Sequence, residues 1–506
     1  MFKKKSLIAL LLSFVFVLTA CGSSSGDNKT LNVAVSADAT SLDPNNYNDD
    51  FSENAMRQIY NTLVEKEPSG ELRNALAKSI EQPDDLTYIV KLREDVKFSN
   101  GEDLTVEDVI FSLKRVAESS QYSYIFGNID ENSFVKQDEN TLEFKLNKPD
   151  GSFLQALSHP GASILNQKHV EENKDDISQN PMGTGPFVLE SWNKLDSMTL
   201  VANENYWGDK PEIEKMVLKV IPEASQRLIE LESGSVDVAY KVSPNDVGNF
   251  DGQDSLKLYN KLDNSTHFVG LNVEKEPFNN KQAREAMSYA LDMKSIVNSV
   301  YMGQAELATT AVNPNFKYSM AKEVEPIGYD IEKAKALLEE AGIDFGKTIK
   351  IYVNEDQQRL DVATMMQAQL KEVGINLEVV KLEWGAFIDA LKNGEHDMFI
   401  MSWSPSVVDP HYELFQPFAS ENRGKGPNFM FYSNSELDSL LEEGIRLKDS
   451  PEREAIYKKA QEIVNEEKPW IYICYGKNLV GAQSYVENFD VAPTYTQELY
   501  RIKLNK

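Results

Sequence analysis

Between Ala334 and Val379 one pattern runs twice, and it limits the fold more than any other feature of the chain. Ala334, Leu337, Leu338 and Ala341 recur at helical spacing, and Gly342 follows where a helix C-cap favours a left-handed residue. Ile349, Ile351 and Val353 then alternate with the period of a strand. Val362, Met365, Met366, Leu370 and Val373 repeat the helix, Gly374 repeats the stop, and Ile375, Leu377 and Val379 repeat the strand. Helix, glycine and strand twice over imply α/β layering with crossover connections. Ala283, Ala286, Met287, Ala290 and Leu291 form another helical stripe upstream. Nearer the N-terminus, residues 31–35 and 141–146 alternate as strands, and residues 216–221 do so less cleanly. Thr105-Val-Glu-Asp108 is a capping signal ahead of the helical run Val109, Ile110, Leu113, Val116 and Ala117. The 506 residues suffice for about three domains.

The first twenty residues do not belong to that fold. Met1-Phe-Lys-Lys-Lys5 is a basic start, and Leu7 to Leu18 is an apolar run broken only by Ser13. The run is short for a membrane-spanning helix and has the form of a signal-peptide core. It ends in Leu18-Thr-Ala-Cys21-Gly22, which resembles the bacterial lipobox, where cleavage precedes a cysteine that is then lipidated. A plain signal peptide with a small-residue cleavage site is the other reading of the same residues. Residues 1–20 are therefore expected to be a signal peptide. Residues 21–30 are expected to be the lipidated Cys21 and a flexible tether, Ser23-Ser-Ser-Gly-Asp-Asn-Lys29. The lipobox resemblance implies more than one acyl chain (palmitate among them), and several chains hold firmly where one holds weakly. The expected location is the outer face of the cell membrane, in the periplasmic space or at the cell surface according to wall type.

Composition removes several classes of function. With 80 acidic against 52 basic side chains the formal net charge is −28. That balance disfavours nucleic acid and anionic lipid as charge partners. Two cysteines, Cys21 and Cys474, rule out a disulfide-built scaffold, and Cys474 suits an apolar core. The five histidines, His159, His169, His267, His396 and His411, have no metal-ligand spacing, so neither a metal nor a cofactor is expected. Gly22-Ser-Ser-Ser-Gly26 matches a hydrolase pattern without its strand and helix, and falls in the tether. Gly342-Ile-Asp-Phe-Gly-Lys-Thr348 is one residue short of a phosphate loop and follows a helix, so it reads as cap and turn. No ordered nucleophile, base and acid stand out, and the chain is not expected to be an enzyme.

From Leu76 the chain reads Leu-Ala-Lys-Ser-Ile-Glu-Gln-Pro-Asp-Asp-Leu-Thr-Tyr-Ile-Val-Lys-Leu-Arg-Glu-Asp-Val-Lys-Phe-Ser-Asn-Gly101, then Leu104-Thr-Val-Glu-Asp108. Tyr88, Val90 and Leu92 mark one strand face, which Val96 and Phe98 continue, before an Asn100-Gly101 turn. This block resembles the signature of family 5 extracellular solute-binding proteins, the peptide-binding receptors of ABC importers. Ser41-Leu-Asp-Pro44, Gly183-Thr-Gly-Pro-Phe187, Asn205-Tyr-Trp-Gly208, Phe268-Val-Gly-Leu-Asn272, Pro277-Phe278, Arg284-Glu-Ala286 and Tyr329-Asp330 extend the resemblance over the mature chain. It implies a two-lobe, periplasmic-binding-protein-like α/β flytrap of the large peptide-binding class, type II. The N-terminal lobe would be residues 31–265 completed by 480–506, and the C-terminal lobe 266–479. Hinge crossings would fall near 262–268 and 478–486. The partners implied are a peptide ligand and the permease and ATPase of the importer, met by a monomer.

The same resemblance implies ligand contacts. A tryptophan at the position of Trp384 walls the pocket in dipeptide and oligopeptide binders. Those members carry an Asp three residues after the second tryptophan, for the ligand's amine; here Trp403 is followed by Ser404 and Ser406, with the first carboxylate at Asp409. Dipeptide binders also carry an Arg on the preceding strand; the matching position is Val353, with Arg359 beyond it. Trp403-Ser404-x-Ser406 with Phe431-Tyr-Ser-Asn434 is similar to the glutathione-binding branch. Each residue has a second reading: Trp403 as core, Asp409 as a cap before Pro410, Ser404 and Ser406 as helix caps. Asn45, Asn46 and Tyr47 are either cleft or loop residues, and Asn272 bonds either a ligand or the hinge backbone. A receptor for a nickel chelate, or for a sugar, is the alternative within the family. An exported hydrolase and a surface adhesin are the rivals outside it.

Overall fold

The computed structural model describes residues 29–506 except 68–69, 175, 343–346 and 495–497. Its backbone is an 11-stranded sheet. In spatial order it runs Leu377–Lys381, Ile349–Val353, Met398–Trp403, Leu256–Leu271, Trp470–Gln483, Val238–Tyr240, Thr30–Val35, Lys215–Val220, Ser197–Ala202 and Phe187–Asn193. Glu306–Leu307 pairs with Trp470–Gln483 off this path.

The duplicated pattern folds as a parallel crossover. Ile349 pairs with Leu377 and Val353 with Lys381, both strands running the same way, with the helix Gln357–Glu372 between them in sequence. Val362, Ala363, Met366 and Leu370 are its buried residues. Gly342 and Gly374 end their helices at φ 65° and 82°, the left-handed region that glycine enters without a Cβ clash. In the other half Thr30–Val35 pairs in parallel with Lys215–Val220. The Thr105 cap forms as read: its hydroxyl accepts from the Asp108 N–H at 3.2 Å, and the Asp108 carboxylate accepts from the Thr105 N–H at 3.0 Å. The strand face of Tyr88, Val90 and Leu92 is buried in a separate four-stranded antiparallel sheet. The strand itself ends at Leu92. Glu94 and Asp95 turn outward, and Val96 and Phe98 reach the core through a single bridge, Lys97 to Asp103.

Two strands tie the molecule together. Leu256–Leu271 and Trp470–Gln483 lie antiparallel, paired from Leu256–Gln483 to Gly270–Trp470. At about 3.3 Å per residue they reach roughly 45–50 Å, long enough to cross from one core to another. One core gathers residues from Leu31 to Tyr240 together with Val480, Ala482 and residues 486–504. Two others gather residues from Phe268 to Cys474. Between them the pairing slips from Leu262 to Thr266, and again between His267 and Phe268. Cys474 is a free thiol buried in one of the later cores. Cys21 and the tether up to Asn28 lie outside the described residues, as do residues 343–346 of the phosphate-loop look-alike.

The halves touch in this arrangement. The Gly151 N–H donates to the Ile445 carbonyl at 2.7 Å. Val407 and Tyr412, from the later half, are buried in the first core.

Candidate ligand site between the two halves

A cavity of about 230 Å³ lies where the halves meet. Arg57, Asn61, Lys66 and His159 line it from the first half, and Asn264 and Ser406 from the crossing strand and the later half. Arg57 stands in the last turn of the helix Asp50–Ile59, and Lys66 ends the short strand Val64–Lys66. His159 is buried, and its Nδ1 accepts from the Gly161 N–H at 2.9 Å. Burial, then the charges of Arg57 and Lys66, push its pKa down to about 3, so the ring is neutral at physiological pH.

A second cavity of about 740 Å³ also spans the halves, lined by Lys241, Asp263, His267, Tyr301, Asp356 and Lys477 among others. Asp263 sits at the slip in the crossing strand, and its Oδ1 accepts from the Ser265 N–H at 2.7 Å and hydroxyl at 2.5 Å. Burial pushes its carboxyl up to about 6. His267 is pushed down to about 4 by burial and by Arg359, so it too is neutral. Both cavities lie at the boundary between bodies, the usual place for a small-molecule site.

The structure distributes the sequence-derived residues unevenly. Ser406 is on the first cavity's wall, and Ser404 is exposed nearby. Trp403 ends the strand Met398–Trp403 opposite Thr266 and packs on the later core, where its buried indole N–H has no partner among the described residues. Trp384 opens the helix Trp384–Lys392, is 49% exposed, packs with its ring tilted 5.8 Å from Phe387, and lines neither cavity. Asp409 caps the helix Pro410–Phe418 through the His411 N–H at 2.9 Å. Its two oxygens also accept from Arg453 at 2.9 and 3.0 Å. With both oxygens taken and 5% exposure, it offers nothing to a ligand amine.

In the first half Asn45 is buried and fully used: Arg115 donates to its Oδ1 at 2.6 Å, and its amide donates to the Gly161 carbonyl at 2.8 Å. Arg115 also grips both oxygens of Asp43 at 2.7 Å, which pins the loop of the Ser41–Pro44 motif. Asn46 is exposed and outside both cavities. Tyr47 lies behind the first cavity, stacked 6.4 Å from His159, so it props the ring that lines the wall. Asn272 is buried and serves backbone: its amide donates to the His396 carbonyl at 3.2 Å, and its Oδ1 accepts from the Glu274 N–H. Arg359 donates to Asn354 and Ser402 at 3.0 and 3.1 Å.

Sequence reasoning passed over Arg57, Lys66 and Asp263. Lys66 lies in Val64-Glu-Lys-Glu67, which reads as a solvated strand, and Arg57 has a Glu four residues before it, which reads as a surface helix pair. No local signal separates these from ordinary surface residues.

Comparison with known proteins gives a consistent picture. The family model for bacterial extracellular solute-binding proteins, family 5 (middle region), matches residues 71–425. The chain is 29% identical over 484 residues to heme-binding protein A of Haemophilus influenzae, covering 89% of this chain and 87% of that protein. It is 30% identical over 468 residues to the glutathione-binding protein GsiB of Escherichia coli, covering 90% of each. Its fold superposes with TM-score 0.82 on the ABC transporter-associated periplasmic binding protein DppA of Helicobacter pylori in complex with the peptide STSA, at 28% identity, covering 94% of this chain and 98% of that one.

Proposed function

The chain belongs to family 5 of the bacterial extracellular solute-binding proteins, and from that premise we propose that it captures short peptides, glutathione among them, between its two halves. The family supplies the substrate-binding component of ABC importers, so this chain is a transport receptor and not an enzyme. The observation that carries the peptide reading is the first cavity. It gathers cationic groups from the first half, Arg57 and Lys66, and neutral hydrogen-bonding groups from both halves, and so suits a ligand with a carboxylate and amide groups. The commitment of Asp409 to Arg453 supports a ligand whose amine is not gripped after Trp403, and so places doubly anchored dipeptides last.

The moving bodies in this reading are residues 31–265 with 480–506, and residues 266–479. They pivot where the crossing strands slip. A ligand that touches both bodies only when they meet stabilises the closed state by that difference in contacts. The closed form is then the one that docks on the permease. Processing after Ala20 and acylation of Cys21 hold the receptor, as a monomer, at the outer face of the membrane.

Native mass spectrometry of residues 22–506, purified without denaturation and then exposed to glutathione and to a tri- to hexapeptide mixture, tests the reading. A ladder of peptide adducts marks a permissive receptor, and a single adduct at the glutathione mass marks the narrow one. If neither forms at millimolar ligand, peptide capture is discarded while family membership stands.

A further inference from the structure

We infer that Arg57 and Lys66 form a carboxylate-binding subsite at the first-half end of the cleft, which receives the free acid of the ligand. The inference rests on the peptide-receptor reading and names the anchor that reading lacks.

Charge accounting around the cavity leads to it. Four acids on the wall are committed elsewhere. Glu65 accepts from Arg73 at 2.7 Å and from Asn61 at 2.8 Å. Glu67 pairs with Arg73 at 3.0 Å. Glu498 pairs with Arg73 and Arg501, and Asp490 with Lys261. Asp409, whose charge reaches Lys66, is held by Arg453. Only Glu53 remains, and it approaches Arg57 no closer than 3.5 Å.

The two cations are correspondingly underused. Arg57 makes two contacts at 3.5 Å, to Glu53 and to the Ser158 carbonyl, both at the outer limit of a hydrogen bond, and its buried Nε has no partner among the described residues. The half-buried Lys66 ammonium makes no hydrogen bond or ion pair with the described residues. His159 beside them is neutral and adds no charge. The charges around the wall balance overall, since Glu65, Glu67 and Glu498 share Arg73 and Arg501, but Arg57 and Lys66 themselves are left with one weakly held carboxylate, Glu53, in a place that water leaves when the halves close. Burial, then the neighbouring Arg57, push the Lys66 pKa down to about 8, while Glu53 and Asp409 pull the other way. An anion with two oxygens supplies the close partners both groups lack: the planar guanidinium suits a carboxylate edge, and the ammonium adds a point charge. A ligand amide would leave both donors where they are.

The test compares two tripeptide mixtures built from Ala, Ser, Val and Tyr, one with free C-terminal carboxylates and one with C-terminal amides. Each is titrated calorimetrically into residues 22–506, alongside glutathione. The acid mixture is expected to bind about 10- to 150-fold tighter than the amides, the range for hydrogen bonds to a charged group. Lys66→Met is expected to erase the difference and Lys66→Arg to keep it, with circular dichroism melting of the unliganded variants showing that both fold. Acid binding is also expected to take up protons at pH 8.5, seen as a buffer-dependent heat, because the anion returns Lys66 to its charged form; Lys66→Met removes that uptake. Equal binding of acids and amides, or an undiminished preference in Lys66→Met, overturns the subsite and leaves the receptor reading intact. If neither mixture nor glutathione binds, the peptide reading fails and the subsite is judged on succinate. Succinate binding that Lys66→Met abolishes upholds the subsite; no succinate binding overturns it.

Discussion

Replacing Arg453 with Met removes one half of the most deeply buried ion pair in the described structure. The side chains of Arg453 and Asp409 are 3% and 6% exposed, so solvent screening does not discount the effect. The guanidinium makes two charge-assisted bonds to Asp409 and one to the Gly444 carbonyl at 3.0 Å, and lies 5.0 Å over the Tyr457 ring. Two bonds to a charged group, each about 1.5–3 kcal/mol, and the cost of stranding a buried charge, about 3–5 kcal/mol, describe the same loss and agree in size. Arg453→Met is therefore expected to destabilise the protein by about 3–5 kcal/mol. The double variant Arg453→Met with Asp409→Asn removes the stranded charge while Asn still caps the helix, and is expected to recover most of that loss. Urea unfolding followed by tryptophan fluorescence and far-ultraviolet circular dichroism measures both. A cost below about 1 kcal/mol for Arg453→Met, or a double variant no better than the single, would refute the argument. So would loss of peptide binding in Asp409→Asn at unchanged stability, since that would put the carboxylate on the ligand.

Gly151→Ala is expected to keep the halves apart, because the added Cβ would lie 1.8 Å from the Leu447 carbonyl oxygen; small-angle scattering at saturating ligand should show no compaction, against compaction of the unaltered protein. Glu413 is buried with no cation beside it among the described residues, and burial holds its carboxyl well above the ordinary carboxylate range. Its stabilising contribution is complete below the unfolded value near 4.5 and is lost as pH rises toward the folded value. Glu413→Gln is therefore expected to flatten the fall in stability between pH 5 and 8, measured by urea unfolding across that window. Cys21→Ala in the full chain is expected to abolish incorporation of labelled palmitate and to move the protein from the membrane to the aqueous fraction. Palmitate retained in that variant would place the acylation on another residue.

Much of the fold was legible because the signals are local. A stripe such as Val362, Met366 and Leu370 buries one face of a helix wherever it sits, and an alternation such as Tyr88, Val90 and Leu92 buries one face of a strand. Glycines after such stripes stop helices for a reason internal to the backbone. The extension of that strand through Phe98 was misread, because apolar alternation continues through a turn when both sides face the same core.

The candidate site was far less legible. Ser406 and Asp409 look equivalent in sequence, two polar residues on one loop, yet one lines a cavity and the other is consumed by an arginine 44 positions later. Trp384 resembles a pocket wall and stands half exposed at the start of a helix. Lys66 resembles a solvated strand residue and lines a cavity shared with Ser406, which lies far along the chain.

By itself, then, the sequence determined the α/β class, the helix and strand periods, the caps and the family, all of which depend on neighbours within a few residues or on an ordered set of motifs. Which charges are satisfied, and which face a ligand, only the tertiary structure decided. The use of a charge depends on the partner folding brings to it, and those partners (Arg453 for Asp409, none for Lys66 among the described residues) come from distances along the chain over which local pattern carries no information.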